Sequence, residues 1–396
     1  MATYTFPKGF LWGAATSSHQ VEGNNRLNDW YAAEETGKVP EAGSAVDSWN
    51  RYEEDIALAA SLNLNAYRLS LEWSRIQPSP DVFDDNAIRR YRRMISAVID
   101  RGIAPVVTLH HFTCPRWFVQ AGGWEQPHSI SRFVSYVTMV MESFSDLAVP
   151  YWITINEPMV FVFNGWVIGI WPPFRQDLRR AFKVVDHLKR AHSDAYRIVK
   201  SFCPEARVTF AKHYRWFKPC ACGFRPFNGM AAWLRDQIFN VDFIEYALHS
   251  GSMDFIALNY YTGEFVRSSL TAPLGDACEC LSGRFPMNDL GWIVAPEELY
   301  NALIRLGAYG LPVFVTENGT TARSDTAYIH FIRSHIQQLA RAIDSGVDVI
   351  GYLYWSLIDN YEWAEGYNAR FGLIDNERNV KSFAGSYAQI CADNAL

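Results

Sequence analysis

No basic stripe runs through this chain, no apolar run approaches the roughly 18 residues needed to cross a bilayer, and no tract rich in Pro, Gly or Ser divides it. Each absence narrows the field. Without such a stripe, and with a net charge of −6, the chain offers nothing to track phosphates, which argues against nucleic acid as a partner. A membrane partner is not expected either. The opening residues, MATYTFPKGFLWG, show neither the positive n-region nor the continuous apolar h-region of a secretory signal, so the expected location is cytoplasmic. Cysteine is scarce too. There are seven, an odd number in dispersed positions, which argues for reduced thiols over a disulfide framework.

Strand-like apolar runs, by contrast, recur at intervals. FLWGAAT (10–16), AYRLSLEW (66–73), APVVTLHH (104–111), YWITINE (151–157), RVTFAKHY (207–214), DFIALNYY (254–261), PVFVTEN (312–318) and VIGYLYWS (349–356) make eight. Segments of helical periodicity lie between them, at 50–62, 85–102, 129–144, 177–201, 296–307 and 330–346; the last two end in Gly, a common helix stop. Eight such units with no internal linker predict an α/β fold, a single (β/α)8 TIM barrel spanning residues 1–396 as one domain. Catalytic residues then belong at the C-terminal ends of the strands.

Polar and aromatic residues gather there. Gln20 follows the first run, His111 ends the third, Asn156 and Glu157 the fourth, Tyr261 the sixth, Glu317 the seventh and Trp355 the eighth. A return of polarity at a strand end explains any one of them, but not all seven. The two glutamates are the most telling, because burying an ionised carboxylate is costly unless something pairs with it. Hydrolysis of a glycosidic bond needs two carboxyls, one protonated to release the leaving oxygen and one ionised to attack or to activate water. Abundant aromatics (14 Trp, 20 Tyr, 25 Phe) fit a large core and also a site where flat rings stack on sugars.

FPKGFLWGAATSSHQVEG at the start, TINEP, VTENG 160 residues later, and YWSLIDNYEWAEGY with RFGLID near the end carry a resemblance to glycoside hydrolase family 1, the β-glucosidases and β-glycosidases. It covers essentially the whole chain. The resemblance implies that Glu157 is the general acid/base and Glu317 the nucleophile of a retaining mechanism, in which the carboxyl groups stand ~5 Å apart. It implies that Arg68 and Tyr261 are donors to the nucleophile; for Arg68 an ordinary buried ion pair is the alternative. It implies that Gln20, His111, Asn156 and Glu362 bind the hydroxyls of the nonreducing sugar, that Trp355 forms an apolar floor and that Trp363 adds an indole donor. Burial and like charge are expected to raise the pKa of the acid, while donors hold the nucleophile ionised.

Glu362 and Trp363 are retained where relatives acting on 6-phosphosugars replace them, which favours unphosphorylated glycosides, and Glu157 in place of Gln points to O-glycosides rather than thioglucosides. His110, His111, Phe112 and Thr113 depart from the usual Tyr-His-Trp pattern after the third strand, so a donor or stacking surface is altered. The expected partners are small β-glycosides or short oligosaccharides, with no cofactor in the mechanism and an oligomeric state that the sequence leaves open. A transglycosylase on the same site and a noncatalytic glycan-binding barrel are the rival readings; retention of both glutamates weighs against the second.

Four cysteines remain, in two C-x-C pairs: Cys220 and Cys222 in KPCACG, Cys278 and Cys280 in DACECL. Zinc ligands are more often spaced C-x2–4-C, so incidental thiols are the first reading. The second is a structural Zn2+ held by all four, because the loops after the fifth and sixth strands of a barrel are neighbours at the catalytic face.

Overall fold

The computed structural model describes residues 4–222, 225–269, 274–278 and 285–396, so Cys280 lies outside the described residues. Its strands are β1 (Leu11–Ala15), β2 (Ala66–Ser70), β3 (Ala104–His110), β4 (Tyr151–Asn156), β5 (Arg207–Pro219), β6 (Ile256–Arg267), β7 (Asp276–Ala277), β8 (Val313–Asn318) and β9 (Val349–Trp355). All pairings except the short antiparallel β6–β7 contact are parallel, and the order β5-β4-β3-β2-β1-β9-β8-β6 closes through β5–β6. This is a closed eight-stranded (β/α)8 barrel, the fold expected from the eight apolar runs.

Alternation along each strand divides the core in two. Val106, Ile153, Ala211, Ala257, Phe314 and Leu353 meet inside the barrel, while their neighbours Val107, Trp152, Phe210, Leu258, Val313 and Tyr352 face the helices outside. The helices answer with one apolar stripe each. In Ser129–Phe144 the buried Phe133, Tyr136, Val137, Val140, Met141 and Phe144 recur at three- and four-residue spacing. Asp84 caps Asp85–Ile99 by accepting from the backbone N–H of Asn86 at 2.7 Å, which satisfies a donor that the first turn leaves open.

Two strands outrun their sequence boundaries. β5 and β6 continue past the barrel rim as a ribbon in which Trp216 pairs with Gly263 and Pro219 with Val266. The glycine permits it: a Cβ at residue 263 would fall 2.2 Å from the Trp216 ring. The sequence also left unread the helices Arg225–Asp236 and Asp242–His249, joined by a π-helical turn at Gln237–Val241, and the final helix Ala384–Asp393. No helix among the described residues is long and apolar enough to cross a membrane.

The cysteine expectation needs correcting. Cys220 and Cys278 are joined as a disulfide, where dispersed spacing had suggested reduced thiols throughout. Sequence distance misled, because the ribbon brings positions 58 residues apart to the same point of β6.

Candidate active site

Glu157 follows the last residue of β4, with φ +42° and ψ 59°, and Pro158 then opens the helix Pro158–Val162. A left-handed backbone is uncommon for a residue with a side chain. Here it ends the strand abruptly and leaves the carboxyl in the barrel mouth. Glu317 sits within β8, and Gly319 lets the following turn pass against the carbonyl of Trp355, where a Cβ would meet that oxygen at 1.9 Å. Both glutamates are buried, and both face one cavity of about 350 Å3. That volume is in the small-molecule range.

Glu317 is held by two donors. Arg68, fully buried, donates from Nη1 to Glu317 Oε1, and the Tyr261 hydroxyl donates to Oε2 at 2.7 Å. The other Arg68 nitrogens reach Asn156 Oδ1 at 2.6 Å and Thr108 Oγ1 at 3.1 Å, and Nη1 also reaches the Thr316 carbonyl at 3.5 Å, so the guanidinium is fixed by four partners and not only by the carboxylate. Asn259 donates to Oε1 of Glu157 at 2.7 Å and to Asn156 at 3.2 Å, while Thr316 donates to the Asn259 carbonyl oxygen at 2.7 Å. One network thus ties the ends of β2, β4, β6 and β8. A satisfied buried network of this kind fixes geometry.

Nine of the ten sugar-site and catalytic candidates fall in or directly against this cavity. Glu157, Glu317, Tyr261, His111, Asn156, Trp355, Glu362 and Trp363 line it, and Arg68 lies behind Glu317. Gln20 is placed differently. It is fully buried in the helix Ser18–Glu22, and its amide nitrogen already donates to Asn360 Oδ1, the Tyr361 carbonyl and Glu362 Oε2 at 2.9–3.2 Å. Its contact in the free site is with the glutamate. Tyr261, expected at a strand end, lies inside β6 because that strand runs on.

The aromatic wall is built from His111, Trp355 and Trp363, whose rings are nearly parallel at centroid distances of 6.1 Å from His111. Burial, with Arg68 and His110 adding to it, pushes the His111 imidazole well below its ordinary pKa, so it stands neutral, with Nε2 3.1 Å from the Asn156 amide nitrogen. Phe112, part of the stretch that departs from the family pattern, packs edge-on to Trp363 and also lines the cavity. Thr113 turns away and donates to buried Glu72 at 2.8 Å.

Two participants escaped sequence reasoning. His213 lies on β5 with Nδ1 3.0 Å from Glu157 Oε1, and Asn259 lies on β6. Each is a polar position inside an apolar run, in AKHY and ALNYY, where a return of polarity at the strand end does not mark it. His213 also reverses the expected pKa order. Burial raises Glu317 to about 7, aided by the charge of Glu157 and opposed by Arg68 and Tyr261. Burial acts on Glu157 in the same direction, but His213, Asn259 and Arg68 outweigh it and hold that carboxyl below its ordinary value. Two buried carboxyls in one cavity hold a single proton easily and two negative charges poorly.

An α/β barrel with two buried carboxyls at the strand ends and an aromatic wall is the architecture of a glycosidase. The chain belongs to glycosyl hydrolase family 1, whose model matches residues 2–226 and 226–394. It is 31% identical to β-glucosidase A of Thermotoga maritima, over 99% of this chain and 98% of that one. It is 29% identical to a bifunctional β-D-glucosidase/β-D-fucosidase of Bifidobacterium breve over 99% of both. Among solved structures, the β-glycosidase from Pyrococcus horikoshii superposes with a TM-score of 0.92 at 37% identity, covering 100% of this chain and 96% of that one. The Thermotoga maritima β-glucosidase in complex with glucoimidazole does so at 0.91 and 29% identity, covering 99% of this chain and 100% of that one.

Proposed function

We propose that the protein is a retaining exo-β-glycosidase that removes the nonreducing terminal β-D-glucosyl residue from unphosphorylated O-glycosides, accepting β-galactosyl and β-fucosyl residues in the same pocket. In this reading Glu317 attacks the anomeric carbon while Glu157 gives its proton to the departing glycosidic oxygen. The alcohol leaves. A covalent α-glycosyl ester on Glu317 remains, and Glu157, now ionised, takes a proton from the water that attacks the same carbon and releases the β-sugar. Asn156 serves the 2-hydroxyl, His111 and Glu362 other hydroxyls of the sugar, and Trp355 and Trp363 its apolar face; Gln20 orients Glu362 through their hydrogen bond.

The observation that carries the reading is the asymmetry between the two carboxyls. Glu317 is held at both oxygens by a guanidinium and a phenol, as a fixed nucleophile needs, whereas Glu157 Oε1 meets groups suited to a proton that comes and goes. The names of the relatives support the sugar class. The test is Glu317→Ala with an aryl β-glucoside: turnover is abolished, and added azide restores part of it by attacking from the vacated face to give the α-glucosyl azide. Activity near wild type in Glu317→Ala, or a rescued product of β configuration, overturns the assignment.

A further inference from the structure

The ribbon formed by β5 and β6 carries a second cluster of chemically capable side chains beyond the barrel rim. The backbone N–H of Cys220, just after β5, donates to the Val266 carbonyl at 2.8 Å, and that of Cys278, just after β7, donates to the Phe265 carbonyl at 2.7 Å. Cysteines from two flanking segments are therefore hung on adjacent residues of β6. Cys222 joins them, its Sγ 3.2 Å from that of Cys220 and 3.7 Å from that of Cys278, and all three sulfurs lie within 4.8 Å of one another. Buried Asn228 fixes the turn, donating to the carbonyls of Cys220 at 3.0 Å and Cys222 at 2.6 Å while accepting from Ser268. Arg235 holds the approach to Cys278 by donating to the carbonyls of Leu274 and Gly275.

We propose that in the thiol-reduced chain Cys220, Cys222 and Cys278 ligate one Zn2+ as a structural site. Three sulfurs that converge within 4.8 Å of one another are the donor set that one soft metal ion takes. Thiolates bound tetrahedrally at about 2.3 Å from zinc stand roughly 3.8 Å from one another, close to the spacing of Cys222 from Cys278. Soft thiolates select zinc over the hard divalent cations. On binding, three S–H protons leave to solvent as three Zn–S bonds form. The Cys220–Cys278 disulfide and the metal are alternative uses of the same two sulfurs, so the site belongs to a reducing compartment. Cys280 lies outside the described residues, and the proposal stands without it.

The metal would pin the ribbon tip. His213 and Arg215, which line the substrate cavity, lie lower on the same β5 strand, so the site braces that wall without entering the chemistry.

The test is metal analysis of the whole chain purified with a thiol reductant and without chelator. About one zinc per chain is expected, released by a mercurial and read with a chromogenic chelator. Cys222→Ser separates the two uses of the sulfurs: it removes the zinc, whereas a Cys220–Cys278 disulfide survives it. Replacement by Co2+ in the wild-type chain, which does not depend on a variant folding, is expected to give intense thiolate-to-cobalt bands in the near ultraviolet. Loss of metal is expected to lower the Tm by several degrees while kcat on an aryl β-glucoside stays within about two-fold. Absence of zinc from the wild type, full zinc retention in Cys222→Ser, or cobalt bound without thiolate bands overturns the proposal.

Discussion

His213 Nδ1 lies 3.0 Å from Oε1 of Glu157, the oxygen that also accepts from Asn259. Burial pushes the imidazole below its ordinary pKa, with Arg215 and Lys212 on its own strand pushing the same way and Glu157 opposing them. The ring stacks on Tyr261, whose hydroxyl binds the other carboxyl, Glu317. One histidine therefore contacts Glu157 directly and reaches Glu317 through Tyr261.

Replacing it tests which carboxyl keeps the shared proton. His213→Asn removes the largest group holding the Glu157 pKa down, so that pKa rises and the acid limb of the kcat/KM profile, where Glu157 takes the second proton of the pair, moves to higher pH. Arg68 and Glu317, across the cavity, are unchanged in this variant. The pH profile with an aryl β-glucoside reads the shift, and an acid limb that stays in place or moves down removes His213 from control of Glu157.

Glu157 itself makes a different demand. An activated aryl leaving group departs with little protonation, so Glu157→Ala slows glycosylation far less for it than for an alkyl glucoside, while deglycosylation suffers in both for want of a base. A burst of aglycone should precede slow turnover. Equal losses for good and poor leaving groups would show that Glu157 does not deliver the proton.

How much of this was legible beforehand follows from where each residue sits. Glu157 and Glu317 stood out because an apolar run ending in a carboxylate has no cheap structural explanation. The barrel was legible because eight runs and intervening helices needed only period-2 and period-3.6 patterns. His213 and Asn259 were not, since each lies inside a strand that continues past the rim, and a polar residue within a strand looks like an ordinary inward-facing side chain. The cysteine cluster depends on a ladder between distant segments, and no local pattern records that register. Gln20 is the opposite case: its assignment to sugar rests on resemblance, and no local pattern showed that its amide would also bond to Glu362.

The nucleophile's donors set the basic limb. In the proposed mechanism Glu317 must be ionised while Glu157 is protonated; with the Glu317 pKa near 7 and Glu157 held low, the pair keeps its single proton up to about pH 7, and kcat/KM falls as pH rises through that value. Tyr261→Phe removes a donor that favours the ionised form, so the pKa rises further, the basic limb moves to higher pH and less of the single proton sits on Glu157. A hydrogen bond to a charged group is worth about 1.5–3 kcal/mol, so roughly ten-fold or more in kcat/KM should be lost at neutral pH. A basic limb at the wild-type position would detach Tyr261 from the ionisation of Glu317.

In the proposed reading Glu362 discriminates between sugars. Burial, with the charges of Glu317 and Glu157 adding to it, raises this carboxyl to about 8, so in the free site at neutral pH it is mostly protonated. A glucoside whose 4- and 6-hydroxyls both donate to it favours the ionised form and draws the pKa down, expelling a proton on binding. Glu362→Ala leaves those hydroxyls unpaired at a cost of ~2 kcal/mol, roughly thirty-fold in kcat/KM for β-glucoside. A β-fucoside has no 6-hydroxyl and should lose clearly less. Calorimetry of a glucose-like inhibitor in two buffers of different ionisation enthalpy reads the proton directly, and its release should vanish in Glu362→Ala. Equal losses for the two sugars, together with unchanged proton release, would place Glu362 outside contact with the 6-hydroxyl.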